Sequence, residues 1–452
     1  MKTKNYTLLF IFSAFCLMAG AQSPVLDNYL QLGLKSNLQL QQEQLNYERS
    51  VQNLEIARAL FFPQVSANAT YGFAEGGRKI TIPVGDLMNP VYSTLNSLTG
   101  TDNFPHIENS TTQFLPNNFH DTKLRMIQPL FNPDIYFNYK AQKELISVQE
   151  AQKLAYENEL KFNIISAYYQ YLQTEESIII FEKTRELLTE VLKQNQKLVA
   201  NNKATKDIVL NASYELDKVE FQAAQARKNN QVAKSYFNFL LNRDLSAEIE
   251  RDSTIRTTLT IQEELSALTE TALNHRQEIK QLQGALQANE QVIGLSKGNA
   301  YLPQINFVGD VGYQGFKYKF DSPQQYWLVQ FSLSWDIFKG GEKKTRIQQA
   351  KLDYQVTENR MAQLKKQIEL QVIQSYYDLE ATEQSYRAAQ SGIRNAEKSF
   401  AIIRTKYIEG QALLIEYLDA QNKFTNASLA ETIGAYEMLR SEAALQKTIA
   451  NL

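Results

Sequence analysis

Apolar residues recur with a step of seven along two long stretches of this chain. In the later one Val372, Leu379, Tyr386, Ile393, Phe400 and Tyr407 form one stripe. Ile368, Ser375, Thr382, Ala389, Ala396 and Ile403, mostly small, form its companion. Moved back by 208 positions, the frame reads Ile164, Tyr171, Ile178, Arg185, Leu192 and Val199, beside Leu160, Ala167, Thr174, Phe181, Leu188 and Asn195. A seven-residue step held over so many turns is the signature of helices packed as a coiled coil. No proline follows Pro133 before Asn202, or Gly341 before Gly410, so continuous helices are expected over 134–202 and 341–409. At 1.5 Å per residue each is roughly 100 Å long. Gly410 stands at the second stop, where a left-handed residue ends a helix, and Asn202 holds the equivalent place in the first. Return helices are expected over 207–241 and 412–450. A surface helical hairpin fits this pattern too.

Four other stretches alternate with period two. Val65, Ala67, Ala69, Tyr71 and Phe73 interleave with Ser66, Asn68, Thr70 and Gly72, and Val329, Phe331, Leu333, Trp335 and Ile337 with Gln330, Ser332, Ser334 and Asp336. Ile305, Phe307, Val311 and Tyr313 oppose Gln304, Asn306, Asp310 and Gly312, with Val308 out of phase; Leu124, Met126 and Leu130 oppose Lys123 and Arg125. Strands are therefore expected over 62–73, 121–130, 304–313 and 327–337. A soluble sheet with one buried face fits the alternation. So does a tilted membrane strand of about ten residues, with Tyr71, Trp327 and Trp335 as an aromatic girdle. Four strands cannot close a barrel, and open edges are not viable in lipid, so a membrane sheet requires several copies.

The chain is written twice. Ala167-Tyr168-Tyr169 returns as Ser375-Tyr376-Tyr377, and Phe62-Pro63-Gln64-Val65 returns as Leu302-Pro303-Gln304-Ile305. The second pair is 240 apart rather than 208, which places an insertion in the first copy. Residues 74–120, rich in Gly, Pro, Asn, Ser and Thr, read as that insertion, a long loop. The copies are assigned to 22–241 and 261–452, joined by a linker at 242–260.

Charge and composition narrow the chemistry. Residues 1–21 read as a secretory leader: Lys2 and Lys4, an apolar run from Leu8 to Met18, then Ala19-Gly20-Ala21. Its removal takes Cys16, the only cysteine. The apolar run is about half the ~20 residues of a spanning helix. The balance of 47 Lys+Arg against 49 Asp+Glu argues against a nucleic-acid partner. With three histidines, no disulfide framework and no Cys/His cluster is available. His106 and His120, near Glu108 and Asp121, read as surface residues of the loop, and His275 as a surface helical residue. No catalytic residue, cofactor or metal site is assigned, and an enzyme is not expected.

Export, tandem repeat, strand pairs and long helices together resemble the TolC family of outer-membrane efflux and secretion factors, over essentially all of Pro24 to Leu452. The most specific likeness is Tyr407-x-x-Gly410-x-x-Leu413-x-x-Glu416-x-x-Asp419-Ala420-Gln421, similar to the family's helix-turn motif. The resemblance implies a mostly α fold with a small β part. Tandem long helical hairpins would form a periplasmic α-barrel, and four transmembrane strands per chain a trimeric twelve-stranded β-barrel. It implies a homotrimer in outer-membrane lipid, with a periplasmic adaptor and an inner-membrane pump of RND or ABC type as partners. It also implies a periplasmic gate ringed by Glu416 and Asp419, with Asp207 as a third acid and Tyr407, Gly410 and Asn202 at the turns. Leu413 and Ala412 depart from the family pattern, and Lys203 or Lys206 on the facing turn is the expected clasp partner of Glu416. On residue type alone these acids also suit a helix N-terminus, where they complement the dipole. The reading from another class is a periplasmic or surface coiled-coil scaffold or adhesin without a pore. On the membrane reading Leu333 is expected near mid-bilayer facing lipid, and Ser332 facing the pore.

Overall fold

Residues 24–252 and 263–452 are described by the computed structural model. The expected leader, and the end of the expected linker, lie outside them. The chain begins with α1 (Pro24–Ser36) and α2 (Leu38–Ala59), followed by β1 (Gln64–Gly72), β2 (Lys79–Ile82), α3 (Val84–Thr99), β3 (Ser110–Gln113) and β4 (Phe119–Phe131). Helices α4 (Pro133–Ala200) and α5 (Asp207–Leu240) complete the first half. The second half runs α6 (Leu265–His275), α7 (Gln277–Tyr301), β5 (Gln304–Phe316), β6 (Gln325–Ser334), α8 (Glu342–Ile408) and α9 (Leu414–Thr448). The fold is mostly helical, with a small antiparallel β part.

Helix stops repeat at the same 208-residue step as the stripes. Asn202 and Gly410 both have positive φ, 54° and 76°. Around each, the next residue's N–H reaches back to the helix: Lys203 to the Leu198 carbonyl, Gln411 to that of Lys406, both at 2.8 Å. This is the Schellman arrangement, which satisfies carbonyls that a helix end otherwise leaves bare. The return helices end the same way at Asn242 and Ala450, with φ of 50° and 57°.

The chain divides into two compact units. One comprises 24–50, 144–252, 263–286 and 355–452, all helical apart from connections. The heptad stripes are its core. Leu160, Ile164, Tyr168 and Leu172 of α4 are buried with Leu26 and Leu30 of α1 and Phe237 of α5. Ile368, Val372, Leu379 and Tyr386 of α8 are buried with Met438 and Leu445 of α9. Each such side chain contributes about 1.5–3 kcal/mol on leaving water. Gly33 allows the closest approach: a Cβ there would lie 2.3 Å from Ile164 Cδ1. Asn37 separates α1 from α2 by capping the latter. Its Oδ1 accepts from Leu40 N–H at 3.0 Å, and its Nδ2 donates to the Leu240 carbonyl at 2.9 Å.

The other unit, 51–143 and 287–354, holds the sheet. Its order is β1-β4-β5-β6, every neighbour antiparallel, so β1 and β6 are edges with no partner among the described residues. The register sorts side chains by polarity. Val65, Met126, Gly309 and Val329 form one row, and Ala67, Leu124, Val311 and Trp327 the next. On the opposite face run Ser66, Arg125, Asp310 and Leu328, then Asn68, Lys123, Gly312 and Tyr326. The apolar face is bare: Trp327 is 77% and Phe331 69% exposed.

Three expectations need correction. Residues 74–120 are not a plain loop, because β2, α3 and β3 lie within them, with β2 paired to β3. β6 stops at Ser334, because its partner there is Gln304, the first residue of β5. Trp335 therefore lies past the strand, and Leu333 lies at its helix-proximal end rather than midway. His120 is a fully buried β4 residue, bonded through Nε2 to Gln324 Oε1 at 2.8 Å, rather than a surface loop residue.

Candidate functional site

Two places concentrate polar chemistry: the paired helix turns of the helical unit and the wet face of the sheet. At the turns, α4, α5, α8 and α9 share one core, in which Phe400, Tyr407, Tyr417 and Leu418 are buried with Leu188 and Val191. Tyr407 packs against Tyr417 at 5.1 Å between ring centroids, and Phe400 stacks on Phe424 at 5.6 Å. Burial pushes the Tyr417 hydroxyl up to about 12. Burial also raises Tyr407, against the opposing effect of its bond to Asn195. Both phenols therefore stay neutral, and Tyr407 is left free to donate its hydroxyl proton.

That bond crosses between the two halves. Tyr407 O–H donates to Asn195 Oδ1 at 2.5 Å, tying α8 to α4 inside the core. Thr184 and Thr425 hydroxyls meet at 3.0 Å between α4 and α9, and Asn422 Nδ2 donates to Glu215 Oε2 at 3.3 Å between α9 and α5. Asn195 was legible only as a polar residue in an otherwise mostly apolar stripe. Such a residue in a coiled-coil seam fixes register at a cost in stability. Replacing Tyr407 by Phe leaves the buried Asn195 Oδ1 unpaired, worth about 1–2 kcal/mol. The paired turns of Tyr407→Phe are expected to exchange amide hydrogens roughly 5–30-fold faster at 195–205 and 405–415. Unchanged exchange would show that the tie is not holding these turns together.

The acids divide by position. Glu416 is three residues past Leu413, and its Oε2 accepts from Leu413 N–H at 2.8 Å, capping α9. This is half of a capping box, the half that survives with leucine at the N-cap. The first-half counterpart of Leu413 is Thr205, whose hydroxyl bonds Asp207 at the start of α5. Asp419 pairs with Lys423 one turn on, at 2.7 Å, with both side chains well exposed. Among the described residues Lys203 and Lys206 form no ion pair, and Glu416 is bonded to its own helix end.

The wet face of the sheet carries a charge row that sequence reading did not single out. Arg125 forks onto Asp310, Nε to Oδ1 at 2.8 Å and Nη2 to Oδ2 at 2.7 Å. Lys123 meets Asp121 at 2.5 Å and lies 3.9 Å from Asp310, whose side chain is 1% exposed. Tyr326 O–H donates to Asp121 Oδ1 at 2.9 Å. Gly312 leaves the room, since a Cβ there would fall 2.7 Å from Lys123 Cα. Asp121, Lys123, Arg125 and Asp310 are the only Asp, Glu, Lys or Arg residues in the four strands, and all lie on one face. The opposite face carries aromatic rings near its two ends. Tyr71 meets Phe73 and Tyr318 edge-on at 4.9 and 5.3 Å, with Trp327 near the same end and Trp335 just past the other.

Among the described residues, no helix is long and apolar enough to cross a membrane, and no group of three or more His, Cys, Asp or Glu is placed to hold a metal. Residues 268–451 match the family described as outer membrane efflux protein. Solved structures match over nearly the whole chain. The outer-membrane channel OprN is 17% identical with a TM-score of 0.76, covering 95% of this chain and 90% of its own. The CmeC outer membrane channel of Campylobacter jejuni is 15% identical with a TM-score of 0.75, covering 95% and 86%. The open MtrE outer membrane channel of Neisseria gonorrhoeae is 17% identical with a TM-score of 0.75, covering 94% and 89%. No curated protein sequence matches the chain.

Proposed function

We propose that this protein is an outer-membrane exit duct: residues 268–451 match the outer membrane efflux protein family, and the whole chain has the fold of solved outer-membrane channels. It passively conducts substrates from an inner-membrane pump, of RND or ABC type, and a periplasmic adaptor to the exterior. The observation that carries this reading is the sheet: four strands, an uncharged apolar face left bare, and two open edges. In lipid such edges must be paired, and three copies joined β1 to β6 close twelve strands. The wet face then lines the pore, and the helical unit supplies the wall of a periplasmic tunnel. Substrate choice lies with the pump and adaptor.

Glu416 and Asp419 would ring the tunnel mouth, with Asp207 beside them. Threefold symmetry turns each into three carboxylates, and converging acids favour cations and bind multivalent ones. Glu416 keeps one oxygen on its own cap, so Asp419, open apart from Lys423, is the more available ligand.

One preparation tests both levels. Protein purified in detergent should have a native mass of three chains and give discrete conductance steps in a planar bilayer. Wild type should prefer cations and be blocked by a trivalent cation added on the tunnel side; Glu416→Ala with Asp419→Ala should lose both. A trimer without conductance would favour a scaffold, and block that persists in the double variant would remove the acids from the mouth.

A further inference from the structure

The insertion between β1 and β4 carries a helix with two unlike faces. The inner face of α3 is fully engaged with the returning segment. Asn89 exchanges both amide bonds with the Ile107 backbone at 2.9 and 2.8 Å, and Asn96 does the same with Phe104 at 2.9 and 3.1 Å. Tyr92 packs on Phe104 at 5.6 Å. Gly85 sits so close that a Cβ would lie 2.3 Å from the Ile107 carbonyl. The outer face is bare and apolar: Val84, Leu87, Val91 and Leu98, with Leu87 68% and Leu98 78% exposed.

Those four positions are not scattered. Val84, Val91 and Leu98 are seven apart, and Leu87 falls at the companion position, which is the a/d spacing of a helix that packs against helices. Asp86 is the only charged residue in α3, and it is engaged with Asn109, so identical stripes do not repel. The location supplies the partner. β1 receives the chain from α2 and β4 passes it to α4, so the insertion hangs from the end of the sheet away from those helices. The turn between β5 and β6 lies at the same end, where Lys317 N–H donates to the Asn118 carbonyl at 2.7 Å. β1 is also an open edge, along which another copy must pair if the sheet closes in lipid.

We infer that the α3 stripes of three copies pack against one another as a short coil over the outer mouth of the barrel, an apolar door that the chain builds from its own insertion. This rests on the trimeric duct proposed above. Apolar constrictions close pores by excluding water, so the packed form conducts poorly and its parting opens the exit.

Single cysteines test it in the full-length protein, whose mature form is expected to have none. Val91→Cys and Leu98→Cys lie on the stripe; Ser93→Cys is equally a surface position but is turned away from it. Under mild oxidation of the detergent-purified protein, both stripe variants should give a covalent dimer on denaturing gels, two chains of each trimer linking and one remaining single. Ser93→Cys should stay monomeric on the same gels. In bilayers, oxidised Val91→Cys should lose conductance and regain it with reductant. A native trimer in which none of the stripe cysteines cross-links overturns the door and leaves the duct standing. Cross-linking without loss of conductance shows contact between stripes but no door, and overturns the occlusion. Failure to form a trimer at all overturns both readings.

Discussion

An arginine in place of Val329 is expected to destabilise the assembled barrel by about 2–4 kcal/mol, the cost of such a charge on a lipid face at mid-bilayer. Val329 lies near the centre of β6, half exposed, in the row of Val65, Met126 and Gly309. Its neighbour Gln330 points to the wet face, paired with Val308. Gln330→Arg should therefore leave stability nearly unchanged and shift ion selectivity. Depth gives a third comparison. Leu333 faces the same way as Val329 but is one residue from the end of its strand, where the cost falls to about 0–1 kcal/mol. Urea titration of refolding into lipid vesicles measures all three. Equal losses at 329 and 330 would mean that the register, or the medium against the apolar face, is wrong.

Breaking the fork between Arg125 and Asp310 should have the other large effect. Removing Arg125 strands the nearly inaccessible Asp310 carboxylate, which keeps the cost of its desolvation without its main partner. Asp310 is the more buried partner, and Lys123 at 3.9 Å is too far to replace two hydrogen bonds. Arg125→Leu is thus expected to lower the stability of the sheet measurably. Arg125→Leu combined with Asp310→Leu should recover most of the loss, because no charge is then left unpaired. The same refolding titration, run as a double-mutant cycle, reads the coupling. Additive losses would show that the two side chains act independently and that the fork contributes nothing as a pair.

What the sequence disclosed follows the range of the forces involved. The long helices were legible because their stripes repeat locally, and their stops because Asn202 and Gly410 carry their own backbone preference. Strand faces were legible by alternation, which is also local. The misses are tertiary. The helix α3 was hidden because its inner face is held by asparagines whose partners, near Phe104 and Ile107, lie on the returning segment. The end of β6 is decided by where β5 begins, which no pattern within β6 records. His120 reads as a loop histidine until Tyr318, Phe320 and Gln324 fold over it. The bond from the Leu413 N–H to Glu416 is a matter of capping geometry and has no signature in charge; Leu413, lacking a hydroxyl, points to it only indirectly.

The row of charges on the wet face has one more consequence. Asp121, Lys123, Arg125 and Asp310 amount to two cations and two anions, interleaved within salt-bridge distance. Such an arrangement has no monopole, and its higher multipoles fade faster with distance than the field of a single charge, before salt screening over about 8 Å is counted. Beyond a distance comparable to the spacing of these charges, the row therefore presents only a weak potential to a solute of either sign. In the proposed duct this row would therefore discriminate little by charge, and charge selection would fall to other parts of the route.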